Sequence, residues 1–329
     1  MRRKAHTVVA LGLAVGACTS TPLPQFSRPL EVVHGWPQLP EGRILGQATG
    51  VDLDSRSDVF VFHRAGREWT DEPPADTIAS PTIEVFEGRS GRHLRSWGAN
   101  LFLMPHGLTI DGQDNVWVTD VMLHQVLKFS PSGDLLMTVG QPRVAGTDRK
   151  HFNMPTDVAV LPDGSFYVSD GYGNARVLKF SARGDYEFEW GRSGKGEGEF
   201  DLPHAIDVGV DGRVYVADRS NARVQVFDHR GGFLAQWSGS ELGRPYSVAV
   251  SDRHAVLVDG GDQPASGPDR SGGVEVDLEG RVLTRFGRFG NQDGQFRLAH
   301  DVAVGPDGSV YVVDAWGQRV QRFVRRSGR

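Results

Sequence analysis

The chain has 329 residues with a formal net charge of −5, and no run or stripe of Lys and Arg marks a nucleic-acid surface. Its one cysteine, Cys18, excludes an intrachain disulfide and a zinc–thiolate site. The 42 glycines fit a fold with many tight turns, and the length suits one large repeat fold or two ordinary domains.

The N-terminus reads as an export signal. Arg2, Arg3 and Lys4 precede a short apolar run, Val8 to Ala17, which ends at Val15-Gly16-Ala17-Cys18. The run is too short to span a bilayer as a helix. Residues 1–17 resemble a bacterial lipoprotein signal peptide, with Cys18 as the lipidated first residue of the mature protein. Residues 18–29, rich in proline, follow as a tether, and 30–329 form the folded domain. The expected location is the bacterial cell envelope, with the lipid on Cys18 as the sole membrane attachment. An ordinary cleaved signal would release a soluble periplasmic or secreted protein instead.

From Thr49 onward one phrase recurs. It appears as MPHGLTIDGQDNVWVTDVMLHQVLK from Met104 and MPTDVAVLPDGSFYVSDGYGNARVLKF from Met154. It returns as LPHAIDVGVDGRVYVADRSNARVQVF from Leu202 and LAHDVAVGPDGSVYVVDAWGQRVQRF from Leu298, with weaker copies from Thr49 and Arg244. A repeat of roughly 40–50 residues made of short strands signifies a β-propeller with one blade per copy. The expected fold is therefore all-β, a six-bladed β-propeller. Within each copy two strands meet at an Asp-Gly or similar turn, and a third and a fourth follow. The sixth copy lacks a fourth strand, and Leu30 to Trp36 fits that pattern. The N-terminal strand is thus expected to close the ring and remove its open edges. The period resembles NHL repeats. Insertions at Arg67–Pro81 and Gly260–Gly273 are Gly-, Pro- or Asp-rich and read as loops, either rimming a pocket or decorating the surface.

Differences between copies locate the candidate site. The residue opening each first strand is Thr49, His106, Thr156, His204, Tyr246 and His300 in blades one to six. Histidine in alternate blades of a six-fold ring forms a triangle about the axis, which is the ligand set of a catalytic zinc with a fourth position open. The second strands end at Asp120, Asp170, Asp218, Asp259 and Asp314, with His63 in blade one; these aspartates are expected to cap turns. The next position carries Arg64 and Arg219 in blades one and four, which face each other across the ring. Two guanidiniums aimed at the axis suit a carboxylate-bearing substrate. One position further, blade three has Tyr172. Asp301 follows His300 and points to the other side of its strand, away from the histidines' metal. His34, His63, His93, His124, His151, His229 and His254 fall off the alternating pattern and read as structural or surface groups.

The segments FHR (62–64), MPHGLTID (104–111), WVTDVMLHQV (117–126), PTDVAV (155–160), VSDGYGNAR (168–176), ADRSNAR (217–223) and AHDVAV (299–304) resemble the peptidyl-α-hydroxyglycine α-amidating lyase. That enzyme is the second catalytic half of the peptidylglycine α-amidating monooxygenase. The resemblance runs from about Gly46 to Phe323. It implies zinc on His106, His204 and His300, and a structural calcium held by the carbonyls of Val51 and Leu108 and the carboxylate of Asp301. It also implies catalytic roles for Arg64 and Tyr172, and contact of Arg219 with the substrate carboxylate. The implied substrate is a peptide or small N-acyl compound ending in α-hydroxyglycine, and a monomer is expected. The family's methionine two residues before the third histidine is Leu298 here. The disulfide cysteines of the animal enzymes are replaced by Asn153, Gly173, Tyr215 and Val226. Two other readings stand beside the lyase: a non-catalytic NHL-type binding propeller, and a propeller hydrolase such as a lactonase, which gathers carboxylates and Asn around its ion.

Overall fold

The computed structural model describes residues 29–261 and 269–325. The expected signal peptide, and the tether except for Pro29, lie outside the described residues, as does the middle of the second insertion. Every regular element described is a strand. Six four-stranded sheets, each antiparallel throughout, form the blades. The six innermost strands are Ala48–Leu53, Pro105–Ile110, Pro155–Val160, Pro203–Val208, Pro245–Val250 and Ala299–Val304. Each packs against the innermost strands on either side, and the sixth meets the first.

Turn chemistry sets the hairpins. At Leu161-Pro162-Asp163-Gly164 the Gly164 amide donates to Leu161 O, while Leu161 N donates to Ser165 O. Gly164 takes φ 83°, which a residue with a Cβ adopts only at a cost. Blades one and two place Ser57 (φ 64°) and Asp114 (φ 63°) at the left-handed position of this turn, which is filled there without glycine.

The apolar faces of neighbouring blades make six separate cores. Phe60, Phe62, Ile83 and Val85 of blade one pack on Leu108, Val116, Val118 and Phe129 of blade two, for example. Sheet stacked on sheet in a circle buries both faces of the inner strands, so Val116–Asp120, Phe166–Asp170, Val214–Asp218 and Val310–Asp314 are buried at every residue, whereas outermost strands such as Leu135–Val139 stay partly exposed.

Ring closure occurs as the sequence predicts. Leu30, Glu31 and Val32 pair antiparallel with Arg325, Val324 and Phe323, completing the sixth sheet. The paired segment is shorter than Leu30–Trp36, and Trp36 turns away to pack on Phe86 and Tyr311. The second insertion also ends earlier than expected, since Gly272 and Gly273 already belong to the third strand of blade five. The positions that replace the animal cysteines fall into two adjacent pairs. Gly173 N donates to Asn153 O, and Tyr215 stands opposite Val226 in its sheet.

One irregularity repeats in all six blades. The ladder between the first two strands skips a residue near its start: Thr49, Thr156, His204, Tyr246 and His300 in five blades, and His106 with Gly107 in blade two. A bulge leaves the extra residue unpaired and re-aims its side chain. Here it turns six side chains out of the sheets and toward the axis.

Candidate metal centre and substrate pocket

The six bulged residues border one small space at the centre of the ring. Three of them are the histidines of alternate blades. Their ring centroids lie 4.8, 4.8 and 4.9 Å apart, at interplanar angles of 68–69°, so they obey a near-exact three-fold arrangement. One nitrogen from each falls within 4.8 Å of the other two, and among the described residues no other three His, Cys, Asp or Glu side chains bring their ligand atoms so close together.

Backbone carbonyls decide which nitrogens face inward. Nδ1 of His106 lies 2.7 Å from Thr156 O, that of His204 2.7 Å from Tyr246 O, and that of His300 2.8 Å from Thr49 O. A carbonyl only accepts, so each Nδ1 carries the proton and each Nε2 keeps its lone pair. Burial pushes the His106 imidazole down to about 3, with Arg64 adding to the shift. His204 and His300 are driven well below the usual imidazole range, by burial first and then by the neighbouring imidazoles and arginines. Three neutral nitrogen donors, oriented by hydrogen bonds behind them, are the chemistry that zinc takes.

These hydrogen bonds also join blades two to three, four to five and six to one. Thr49 Oγ1 to Pro105 O at 3.3 Å and Thr156 Oγ1 to Pro203 O at 2.8 Å join one to two and three to four. Ligand and fastener therefore occupy the same repeat position.

Above the histidines opens a cavity of about 420 Å³. Arg64, Tyr172, Arg219 and His300 line it, as do Gln47, Trp69, Leu202, Tyr246, Leu298, Ala315 and Trp316. The Tyr172 hydroxyl lies 3.1 Å from His106 Nε2 and 3.2 Å from His204 Nε2. Arg64 is buried; its Nε donates to Pro105 O at 3.1 Å, and a second nitrogen donates to Gln47 Oε1. Burial pushes this guanidinium down to about 10, and the charge of Tyr172 pulls it back up, so it stays protonated at neutral pH beside the phenol. Arg219 stacks its guanidinium 4.0 Å from the Tyr246 ring centroid. All three residues predicted for catalysis or substrate contact thus meet at the mouth of the histidine site.

The sequence reading assigned no role to Trp69, which lies in the first insertion. Its ring packs 5.0 Å from that of Tyr172 and 5.2 Å from the Arg64 guanidinium. That insertion therefore rims the pocket. Beneath Trp69 and Tyr172 lies a small apolar cluster of Leu103, Met104, Val121, Met122 and Leu123. The aspartate caps behave as expected. Asp120 accepts from the amides of Leu103, Met104, Met122 and Leu123 at 2.7–3.0 Å, and so holds that cluster in place.

On the other side of the histidines a cavity of about 170 Å³ runs along the axis. Val51, Leu108 and Asp301, the residues implied for calcium, all line it, together with Asp52, Asp157 and Asp207. No basic side chain does. Burial raises the Asp52 and Asp207 carboxyls to about 7 and Asp301 to about 6; burial and then Asp301 raise Asp157 well above the usual range. Each carboxylate accepts an amide of the next blade: Asp52 from Ile110, Asp157 from Ile206, Asp207 from Val250 and Asp301 from Val51. Buried carboxylates without a counter-charge suit a hard divalent cation.

Residues 152–180, 200–227 and 296–323 match the family model described as NHL repeat. The chain is 36% identical over 307 residues to peptidyl-glycine alpha-amidating monooxygenase B of Xenopus laevis, a match covering 85% of this chain and 34% of that protein. It is 34% identical over 326 residues to peptidyl-alpha-hydroxyglycine alpha-amidating lyase 2 of Drosophila melanogaster, covering 92% and 76%. The chain thus spans about a third of the length of the Xenopus monooxygenases it matches. Among solved structures, a gluconolactonase from Xanthomonas campestris superposes with a TM-score of 0.60 at 12% identity, covering 91% of this chain and 95% of that one. At that identity the likeness concerns the fold alone.

Proposed function

The chain belongs to the peptidyl-α-hydroxyglycine α-amidating lyase family, and we propose that it cleaves the C–N bond of a peptidyl or N-acyl α-hydroxyglycine to give an amide and glyoxylate. The observation that carries this reading is the meeting of three inward-facing Nε2 atoms with the Tyr172 hydroxyl, under a pocket that also holds Arg64 and Arg219. His106, His204 and His300 would hold one zinc. Bound there, zinc supplies Lewis acidity, lowering the pKa of an α-hydroxyl brought against it.

The remaining work falls to the chain's own residues. Arg219 and Arg64 fix the substrate carboxylate and so orient the carbinol carbon. Tyr172 takes the hydroxyl proton as general base. The O–H electrons become the aldehyde C=O, the C–N bond breaks, and its electron pair goes to the amide nitrogen. Tyr172 then returns the proton to that nitrogen, so nothing is left over. Arg64, charged and desolvated beside Tyr172, stabilises the phenolate that accepts the proton and that is restored once the proton is returned. Trp69 covers both groups and keeps water from them.

Along the axis beyond the histidines we propose a structural calcium on the carbonyls of Val51 and Leu108 and the carboxylate of Asp301. The charge of Asp52, Asp157 and Asp207 adds to the attraction. The deciding experiment mixes purified protein with α-hydroxyhippurate and follows glyoxylate. Release well above that of His204→Ala is expected, with one zinc per chain by metal analysis. Release no greater than that of the variant removes the assignment.

A further inference from the structure

The repeat position that supplies Tyr172 is used a second time. In blade three the second strand ends at Asp170, followed by Gly171 and Tyr172; in blade six it ends at Asp314, followed by Ala315 and Trp316. Blades three and six oppose each other, as do blades one and four, which bear Arg64 and Arg219 one position earlier. The pocket rim thus carries a pair of arginines on one diameter and a pair of aromatics on another.

Tyr172 reaches down to the histidines, whereas Trp316 stays at the mouth, 58% exposed, while still lining the cavity. Its neighbours there divide by chemistry. Arg64, Arg219, Tyr172 and His300 form the polar floor, which the hydroxyglycine end of the substrate occupies. Leu298, Ala315 and Trp316 bring apolar side chains from blade six, with Leu298 and Ala315 buried and Ala315 N donating to Leu298 O, while Leu202 borders the cavity from blade four. A large indole left in water beside a polar floor is the pattern of a ligand anchor, since apolar area becomes favourable to bury once a ligand covers it.

We propose that Trp316, with Leu298 and Ala315 of the same blade, forms a subsite for the group attached to the hydroxyglycine nitrogen and selects an aromatic or long aliphatic acyl group over a small one. The proposal rests on the lyase reading for the orientation of the substrate, with its carboxylate at the arginines and its acyl end toward the mouth. Trp316 is a specificity-determining residue here, distant from the proton transfers assigned to Tyr172.

The test compares N-benzoyl- with N-acetyl-α-hydroxyglycine in the wild type, Trp316→Ala and Trp316→Phe, each checked for zinc content. The wild type should favour the benzoyl substrate through KM. Trp316→Ala should lower the benzoyl-to-acetyl ratio of kcat/KM by about tenfold, the size of one lost aromatic contact, and Trp316→Phe should keep most of it. An unchanged ratio in Trp316→Ala overturns the subsite. Calorimetry with N-benzoylglycine and N-acetylglycine, which lack the hydroxyl and cannot turn over, separates this failure from failure of the lyase reading. If the wild type releases no glyoxylate but binds N-benzoylglycine more tightly, and Trp316→Ala loses that preference, the subsite stands and the lyase falls. Equal binding of the two glycines, or none, overturns the subsite.

Discussion

Changing Tyr172 to Phe removes one oxygen from a pocket whose packing on Trp69 and His106 survives. Turnover should fall by roughly 10²–10⁴, the usual weight of a general base, with zinc content unchanged. Arg64→Ala should also lower turnover strongly at constant zinc; loss of the ion with the arginine would contradict the assigned role. A third expectation concerns acid stability. Burial, and then Arg325, push His254 down to about 4, while Ser251 Oγ, Glu275 and Asp252 lie about the same ring. The unfolded chain accepts that proton at about 6.5, so it takes up protons first as pH falls. The contribution of neutral His254 is therefore present above 6.5 and lost as pH drops toward 4. In His254→Gln, the thermal midpoint should decline less steeply over that window. The single residues were legible where one repeat copy differed from the rest: His106, His204, His300, Arg64, Arg219 and Tyr172 all emerged that way. Trp316 was equally accessible, since it stands in the register of Tyr172, but a single aromatic near a turn carries no functional signal by itself. Asp52, Asp157 and Asp207 gave no signal of their own, because an aspartate in an alternating strand reads as a residue facing water.

The strands of each blade could be read from alternation, turn residues and period, and the pairing order followed from short connections. The bulge could not. It is a shift of backbone register with no side-chain signature, yet it explains why the residue that opens each first strand looks along the axis instead of into a neighbouring blade. The first insertion was visible as a loop but its destination was not, since nothing local tells Trp69 to lie over Tyr172. Asp120 is the element-scale test. Its carboxylate satisfies four buried amides that anchor the cluster under Trp69 and Tyr172. Asp120→Ala leaves them without an acceptor and should cost roughly 3–5 kcal/mol in denaturant unfolding. Turnover should fall as well, because the floor beneath the pocket loosens.

At the scale of the ring, the axial carboxylates and the N-terminal strand are two independent fastenings. If calcium occupies the far cavity, chelation should lower the thermal midpoint by several degrees, as binding to the folded state alone requires. Asp301→Ala should abolish that dependence while zinc remains on the histidines. Deleting Leu30–Val32 would expose the edge of Arg319–Arg325 and uncover Phe286 and Phe323. A lower midpoint and a tendency to self-associate are expected, read by calorimetry and light scattering. The six-fold plan and its closure were both apparent from the repeat, whereas the far cavity was visible only through the residues a resemblance implied.

Leu30 lies opposite Arg325, so the first described strand and the last are partners in one sheet. During synthesis the earliest-made strand must wait for the latest-made blade, and that blade also brings His300. A ribosome-bound fragment can assemble five wedges and still offer an ion only two of its three nitrogens. If zinc occupies the three histidines, its capture waits for blade six, and a polypeptide cut short before that blade would offer an incomplete ligand set.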